Sequence, residues 1–186
     1  MLQAITAPVL MRKLDVSFGG TSSEISQRLQ CILKLTNLEE LRITILPDVT
    51  GEEGIGCTRD LFRAFERLKH FHVTLRAPDP DLNDVSVEEL VSRSPNLQVI
   101  EFKSFAISGQ SLQSMARLRN LRHLSFDAGE ATAASVLSLL RGSSRTKIDK
   151  IHANLITGTV EEMSELNQEI RTLEELTGRP KCIPNG

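Results

Sequence analysis

The sequence predicts an α/β solenoid of about six strand–helix units that stack side by side in a horseshoe. Parallel strands would line its concave side, helices its convex side, and a last helix would cap the C-terminal end. Three observations predict this: an apolar spacing that recurs six times, an alternating stretch within each recurrence, and an amphipathic segment between recurrences. At 186 residues with 40% hydrophobic residues, the chain suits one domain over residues 1–186.

The recurring spacing places apolar side chains at the first, fourth and sixth positions of a short segment. Successive segments begin 24 to 30 residues apart, which leaves room for a helix in each unit. The six segments are Met11-Leu14-Val16, Leu38-Leu41-Ile43, Leu68-Phe71-Val73, Leu97-Ile100-Phe102, Leu121-Leu124-Phe126 and Ile148-Ile151-Ala153.

Within each segment, apolar and polar residues alternate, as in Leu41 and Ile43 against Arg42 and Thr44. Period two with one polar face predicts a strand that is packed on one side only. Parallel strands covered on both faces read as continuous apolar runs, so a doubly wound sheet is disfavoured. Strands are predicted near residues 11–18, 38–45, 68–75, 97–104, 121–128 and 148–155.

Capping boxes mark the starts of several helices. Thr21 to Glu24 and Ser86 to Glu89 each have a hydroxyl residue three positions before a glutamate, ahead of apolar residues at helical spacing. A third box, Thr159 to Glu162, opens a helix predicted near 159–177. Glutamates cover the outer surface of this helix, which suits a solvated cap at the end of a solenoid.

Composition limits the classes of function. A net charge of −2 and a pI near 6.1 give no overall attraction to nucleic acid. Three cysteines are too few and too scattered for a disulfide framework or a metal site, and no apolar run reaches the roughly 18 residues of a membrane span. We therefore expect a cytoplasmic or nuclear protein without cofactor, metal or catalytic site.

The concave strand positions are the candidate binding surface, and all four histidines of the chain fall on them. The candidate contact residues are Arg42, His70, His72, Glu101, Lys103, His123 and His152. Three interpretations of the histidines remain open: solvated or partner-contacting side chains, a pH-sensitive binding face, and a metal site.

Basic residues predominate between Arg117 and Lys150, with seven lysines and arginines against three acidic residues. No aromatic residues interleave with them to stack bases, so we expect an acidic protein partner in preference to nucleic acid.

The spacing of apolar residues resembles that of leucine-rich repeats of the ribonuclease-inhibitor-like type. The segments from Ile5 to Val16 and from Ser94 to Phe102 look like repeat openings in the substrate-binding regions of fungal F-box proteins. This resemblance implies a non-enzymatic ubiquitin-ligase adaptor that holds its target on the repeats. The usual Asn or Cys after the last motif leucine is missing, and no F-box segment precedes Met11.

The predicted function is protein binding through the concave sheet. The alternative is a structural or regulatory repeat fragment of a larger protein with no ligand of its own, and a more distant one is metal-dependent or pH-sensitive binding by the histidines. We also expect an upstream domain or a partner to cover the open N-terminal edge of the solenoid.

Overall fold

Strands and helices alternate along the whole of the described chain. A computed structural model describes residues 10–47, 58–75, 79, 82–128, 130–142, 148–154 and 156–177. The strands are β1 (Lys13–Gly20), β2 (Glu40–Pro47), β3 (His70–Leu75), β4 (Val99–Ile107), β5 (His123–Ala128) and β6 (Lys150–Asn154). The helices are α1 (Ser22–Ile32), α2 (Thr58–Ala64), α3 (Asp84–Arg93), α4 (Gly109–Met115), α5 (Ala133–Gly142) and α6 (Val160–Thr177).

The six strands form one parallel sheet in the order β1-β2-β3-β4-β5-β6, so each strand lies beside its neighbours in sequence. The register places equivalent positions of the repeated segments side by side. Leu41, for example, pairs with Leu14 on one side and Phe71 on the other. The predicted α/β class with repeating strand–helix units is thereby confirmed.

Each strand begins two residues later than predicted, as β4 does at Val99 where the pattern indicated residue 97. The cause lies in the turn before the strand. The carbonyl of Lys69 accepts hydrogen bonds from the N–H groups of both Gln98 and Val99, at 2.7 and 3.0 Å. The carbonyls of Arg12, Glu39, Gln98 and Arg122 likewise each accept hydrogen bonds from two successive N–H groups. In the units of β2 to β6, the first apolar residue of the segment therefore belongs to the turn.

Side chains from strands and helices share one continuous apolar core. Its aromatic centre is formed by Phe62, Phe71 and Phe102, all fully buried, with ring centroids 5.2 to 6.1 Å apart. At the N-terminal edge, Leu14 and Val16 on β1 are only partly buried. Because β1 pairs with β2 alone among the described strands, this end of the core has less cover than the middle. That an upstream domain or partner covers it stays a prediction.

Two of the three predicted capping boxes are present. The Thr21 hydroxyl accepts from the Glu24 N–H and the Glu24 carboxylate accepts from the Thr21 N–H. At the start of α6, the Thr159 N–H donates to Glu162 at 2.8 Å, and the Glu162 N–H donates to the Thr159 hydroxyl at 3.2 Å. The predicted cap helix near 159–177 is therefore confirmed as a helix.

The box predicted at Ser86 is wrong. Helix α3 begins three residues earlier because the side chain of Asn83 accepts from the Val85 N–H at 3.0 Å and caps it there. Ser86 lies fully buried inside the helix, and the Glu89 carboxylate binds Arg59 of α2 at 2.7 and 3.1 Å. An asparagine cap followed by no glutamate at the third position was a weaker sequence signal than the serine box.

Of the cysteines, Cys31 is exposed on α1 and free of a disulfide. Cys57 and Cys182 lie outside the described residues.

Candidate functional site

One face of the sheet is mainly polar, with Leu46 and Val99 as apolar exceptions, and we call it the polar face. Its side chains alternate with the core-facing ones and are all exposed or half-buried. They are Lys13, Asp15, Ser17, Glu40, Arg42, Thr44, His70, His72, Thr74, Val99, Glu101, Lys103, His123, Ser125, Asp127, Lys150 and His152. This is the face that the sequence predicts to be concave.

A groove of about 580 Å³ lies along the polar face from β1 to β4. Lys13 and Asp15 line it at the β1 end, and Val99 and Glu101 at the β4 end. Arg42, His70 and His72, three of the residues predicted to contact a partner, lie between them.

At the N-terminal end of the polar face, opposite charges are paired across adjacent strands. Lys13 Nζ lies 2.6 Å from Glu40 Oε1, and His70 Nδ1 lies 3.7 Å from the same oxygen. Arg42 lies 3.9 Å from Asp15, with both side chains more than half exposed. Exposed pairs of this kind contribute roughly 0–1 kcal/mol each, so a partner can replace them at little cost.

The centre of the polar face is organised by Glu101. One carboxylate oxygen accepts a hydrogen bond from His72 Nδ1, and the other lies 3.8 Å from His123 Nδ1. The second ring nitrogen of His72 lies 3.0 Å from the Thr74 hydroxyl oxygen. The side chains of His72 and Glu101 are only 13% and 22% exposed, so this chain of contacts is held in place by its surroundings.

Charge and burial act in opposite directions on these groups. Burial by itself would raise the pKa of Glu101, but the hydrogen bond from His72 and the electrostatic influence of His72, His123 and Arg42 outweigh it and lower the pKa. Burial lowers the pKa of His123, and the nearby Lys150 and His152 lower it further, against the raising effect of Glu101. Glu101 is therefore a stable anion near neutral pH, and His123 is mainly neutral there.

Thr74, His72 and Glu101 form a chain of hydroxyl, imidazole and carboxylate groups, an order also found in nucleophilic catalysis. Acyl transfer further needs hydrogen-bond donors aimed at a developing oxyanion. The backbone of β3 is instead paired on both sides, with β2 and with β4. We interpret the chain as a means of fixing the side chains on the polar face.

The histidines do not form a metal centre in the described part of the chain, where no three His, Cys, Asp or Glu side chains converge on a common point. His72 and His123 contact the same carboxylate, that of Glu101. These three potential metal ligands do not point at a common position.

The structure brings together His72, Glu101 and His123, and sets Arg42 close enough to influence the carboxylate. His152 lies beside Ser125 in the register. Glu40 and Lys150, which also belong to the polar face, were not among the predicted contact residues. The alternation of polar and apolar residues along β2 and β6 is the sequence feature that could have identified them.

The register of the sheet is irregular on one side of Lys103. An uninterrupted repeat would place it opposite Asp127, but the register shifts after the Phe102–Phe126 pair and resumes at Ile107 and Ala128. Residues 103–106 thus stand against the single residue Asp127. Lys103 keeps its pairing with Thr74 on the β3 side and is exposed.

These features define a class: a strand–helix repeat protein whose parallel sheet has one face in the core and one polar face. No protein-family model matches the chain, and a search of curated proteins found no significant match. None of the described helices is both long and apolar enough to span a membrane.

Proposed function

We propose that this protein is a non-enzymatic protein-binding module of leucine-rich-repeat type that holds its partner on the polar face. The observation that supports this proposal is that one face of the sheet lies in the core while the other presents polar side chains in an open groove. In this proposal the stacked units curve into a horseshoe and the polar face is its concave side. Binding is a non-covalent exchange of the exposed ion pairs for contacts with the partner.

The dimensions of the polar face indicate the form of the bound segment. Six strands about 4.8 Å apart and four residue steps of about 3.3 Å give a surface of roughly 24 by 13 Å. Its area of roughly 300 Å² is well below the ~800 Å² per partner of a standard protein–protein interface. The polar face by itself therefore suits an extended segment of a partner, with further contacts at the loops beyond the strand ends.

A narrower form of the proposal makes the chain the substrate-recognition part of an F-box type ubiquitin-ligase adaptor, in the cytoplasm or nucleus. Its support is the resemblance of the segments Ile5–Val16 and Ser94–Phe102 to repeat openings in such proteins. It requires an F-box or a partner that carries one, which co-purification with a ligase scaffold would detect.

The proposal predicts that reversing charges on the polar face removes partners. With the double variant Arg42→Glu and Lys103→Glu as bait, we expect proteins recovered by the unmodified chain to be depleted by roughly tenfold or more, because like charges then meet across the contact. Quantitative mass spectrometry of the bound fraction measures this.

The matched control is Arg63→Glu with Arg93→Glu on α2 and α3. These arginines are exposed to a similar degree and also take part in exposed ion pairs, but they lie on the helices. We expect this control to retain the partners. Equal recovery by all three baits would contradict binding at the polar face and favour a structural repeat fragment.

A further inference from the structure

All four histidines of the chain lie on the polar face. Imidazole is the side chain whose ordinary pKa, about 6.5, falls between pH 5.5 and pH 7.5, while carboxylates and lysines of ordinary pKa keep their charge over this range. The polar face is therefore the surface whose charge changes most when the pH falls from 7.5 to 5.5.

The permanent charges of the polar face balance one another. Its described positions hold four basic and four acidic residues. They are Lys13, Arg42, Lys103 and Lys150 against Asp15, Glu40, Glu101 and Asp127. With neutral histidines these positions carry no net formal charge, and each proton that a histidine takes up adds positive charge to a balanced surface.

At β2 and β3, the carboxylate nearest to a histidine is already held by a lysine. Glu40 Oε1 lies 3.7 Å from His70 Nδ1 but only 2.6 Å from Lys13 Nζ. Arg42 follows two residues after Glu40 on β2 and pairs with His72 in the register. A proton on His70 would therefore place a second cation around one carboxylate, with a guanidinium nearby.

At the centre of the polar face, one carboxylate serves two histidines. His72 Nδ1 donates to one oxygen of Glu101, and His123 Nδ1 lies 3.8 Å from the other. The side chains of His72 and His123 are only 13% and 25% exposed, which limits the hydration of a positive charge on either ring. One anion cannot neutralise two imidazolium groups, so double protonation would leave positive charge in a half-buried place.

Further positive charge faces His123 from β6. It pairs there with Lys150, and His152 lies two residues further along that strand. On β4 it pairs with the apolar Val99, and Glu101 supplies the nearby carboxylate. Burial lowers the pKa of His123, and Lys150 and His152 lower it further, against the raising effect of Glu101. The surroundings of this ring thus favour its neutral form.

His152 is half-buried on β6. It faces Ser125 in the register, and Asp127 follows two residues later on β5. Lys150 precedes it by two residues on its own strand. A proton on His152 would therefore join the positive charge that already faces His123.

From this arrangement we infer that the polar face acts with neutral histidines, and that acidification to about pH 5.5 both destabilises the folded chain and releases a partner from this surface. The inference rests on the proposed function and adds a pH-sensitive switch to the same surface. A partner that covers the histidines with uncharged or basic groups removes water from them, which disfavours the imidazolium form. Binding then releases protons and weakens as the pH falls.

The stability of the free chain should change through His123. Its pKa is lower in the folded chain than the value of about 6.5 expected after unfolding, so the unfolded chain binds more protons in this range. Its contribution to stability is complete above about pH 6.5 and is lost as the pH falls towards the folded pKa. Carboxylates of ordinary pKa, about 4, stay ionised at pH 5.5 and contribute little to the change.

The first test is urea denaturation at pH 7.5 and pH 5.5, followed by circular dichroism. We expect a lower midpoint at pH 5.5, and a smaller fall in His123→Gln, because glutamine cannot take up the proton. His70→Gln, at a histidine whose side chain is 45% exposed, is the matched control and should keep the fall. As a second measurement on the unmodified chain, the NMR titration midpoint of the His123 ring should lie below about 6.5.

The second test asks whether acid releases the partner. The unmodified chain serves as bait at pH 7.5, and the bound proteins are then washed at pH 5.5. We expect the proteins whose capture depends on Arg42 and Lys103 to leave, since complete covering of one histidine of ordinary pKa weakens binding roughly tenfold over this range. Proteins that the Arg42→Glu and Lys103→Glu bait captures equally well bind elsewhere, so they are the internal control and should stay.

Several outcomes would overturn the inference: equal urea midpoints at the two pH values, an equal fall in the unmodified and His123→Gln chains, a His123 titration midpoint above about 6.5, or acid release that does not distinguish the two sets of captured proteins. Tighter binding at pH 5.5 would also overturn it and would indicate a partner with carboxylates over the histidines. If no captured protein depends on Arg42 and Lys103, the proposed function itself fails, while the urea midpoints still decide whether the fold prefers neutral His123.

Discussion

Replacing Phe102 with alanine is expected to lower the free energy of unfolding by about 3–5 kcal/mol. The ring is fully buried, and its centroid lies 5.6 Å from that of Phe62 and 6.1 Å from that of Phe71. Removing it leaves a cavity where β3, β4 and α2 meet, and it breaks two aromatic contacts worth about 0.5–1.5 kcal/mol each beyond their burial. Urea denaturation followed by circular dichroism measures the change.

Two further variants keep this prediction testable if the alanine variant does not fold. Phe102→Leu retains most of the volume and should cost clearly less than the alanine change. Val160→Ala, at a side chain that is 82% exposed, should change stability by less than about 0.5 kcal/mol. A loss below about 1 kcal/mol in Phe102→Ala would contradict the packing described for the aromatic centre, since large aromatic truncations in a close-packed core cost more.

Replacing Leu97 with alanine is expected to cost about 2–5 kcal/mol, although this residue lies before β4 and not within it. Its side chain is fully buried, because the turn that joins Ser94 to the strand directs it into the core. The result would show that the first position of the repeated segment contributes to the core as much as the strand positions do.

The neighbouring residue supplies the control for this change. Gln98 makes hydrogen bonds through its backbone. Its carbonyl accepts from the N–H groups of Arg122 and His123, and its own N–H donates to the carbonyl of Lys69. Gln98→Ala keeps those bonds and should cost less than about 1 kcal/mol, the range of ordinary half-exposed substitutions. Similar losses for Leu97→Ala and Gln98→Ala would mean that the turn, and not the buried leucine, determines stability here.

The strands, their order and most of their register could be predicted from the sequence because these depend on a simple pattern. A period of two fixes which side chains share a face, and recurrence of the same spacing aligns equivalent residues of adjacent units. The repeated spacing puts Arg42, His72 and Glu101 at the same position of three successive segments, and the sheet pairs them in that order.

Other features depend on interactions that the pattern does not contain. The late start of β2 to β6 comes from a carbonyl of the preceding unit that accepts two hydrogen bonds, and that carbonyl belongs to a residue 24 to 30 positions earlier in the chain. The irregularity in β4 comes from residues 103–106, which stand against the single residue Asp127, and it carries the strand to Ile107, beyond the end predicted at residue 104. The contact of His123 with Glu101 runs diagonally between rows, so it depends on side-chain rotamers.

Selective labelling of histidine tests the central claim most directly, because all four histidines of the chain lie on the polar face. Diethyl pyrocarbonate acylates accessible imidazoles, and peptide mass spectrometry gives a rate for each site. We predict that a bound partner slows the labelling of His70, His123 and His152, with His72 slow in both states because it is only 13% exposed. Unchanged rates at these three histidines in the bound protein would contradict binding at the polar face.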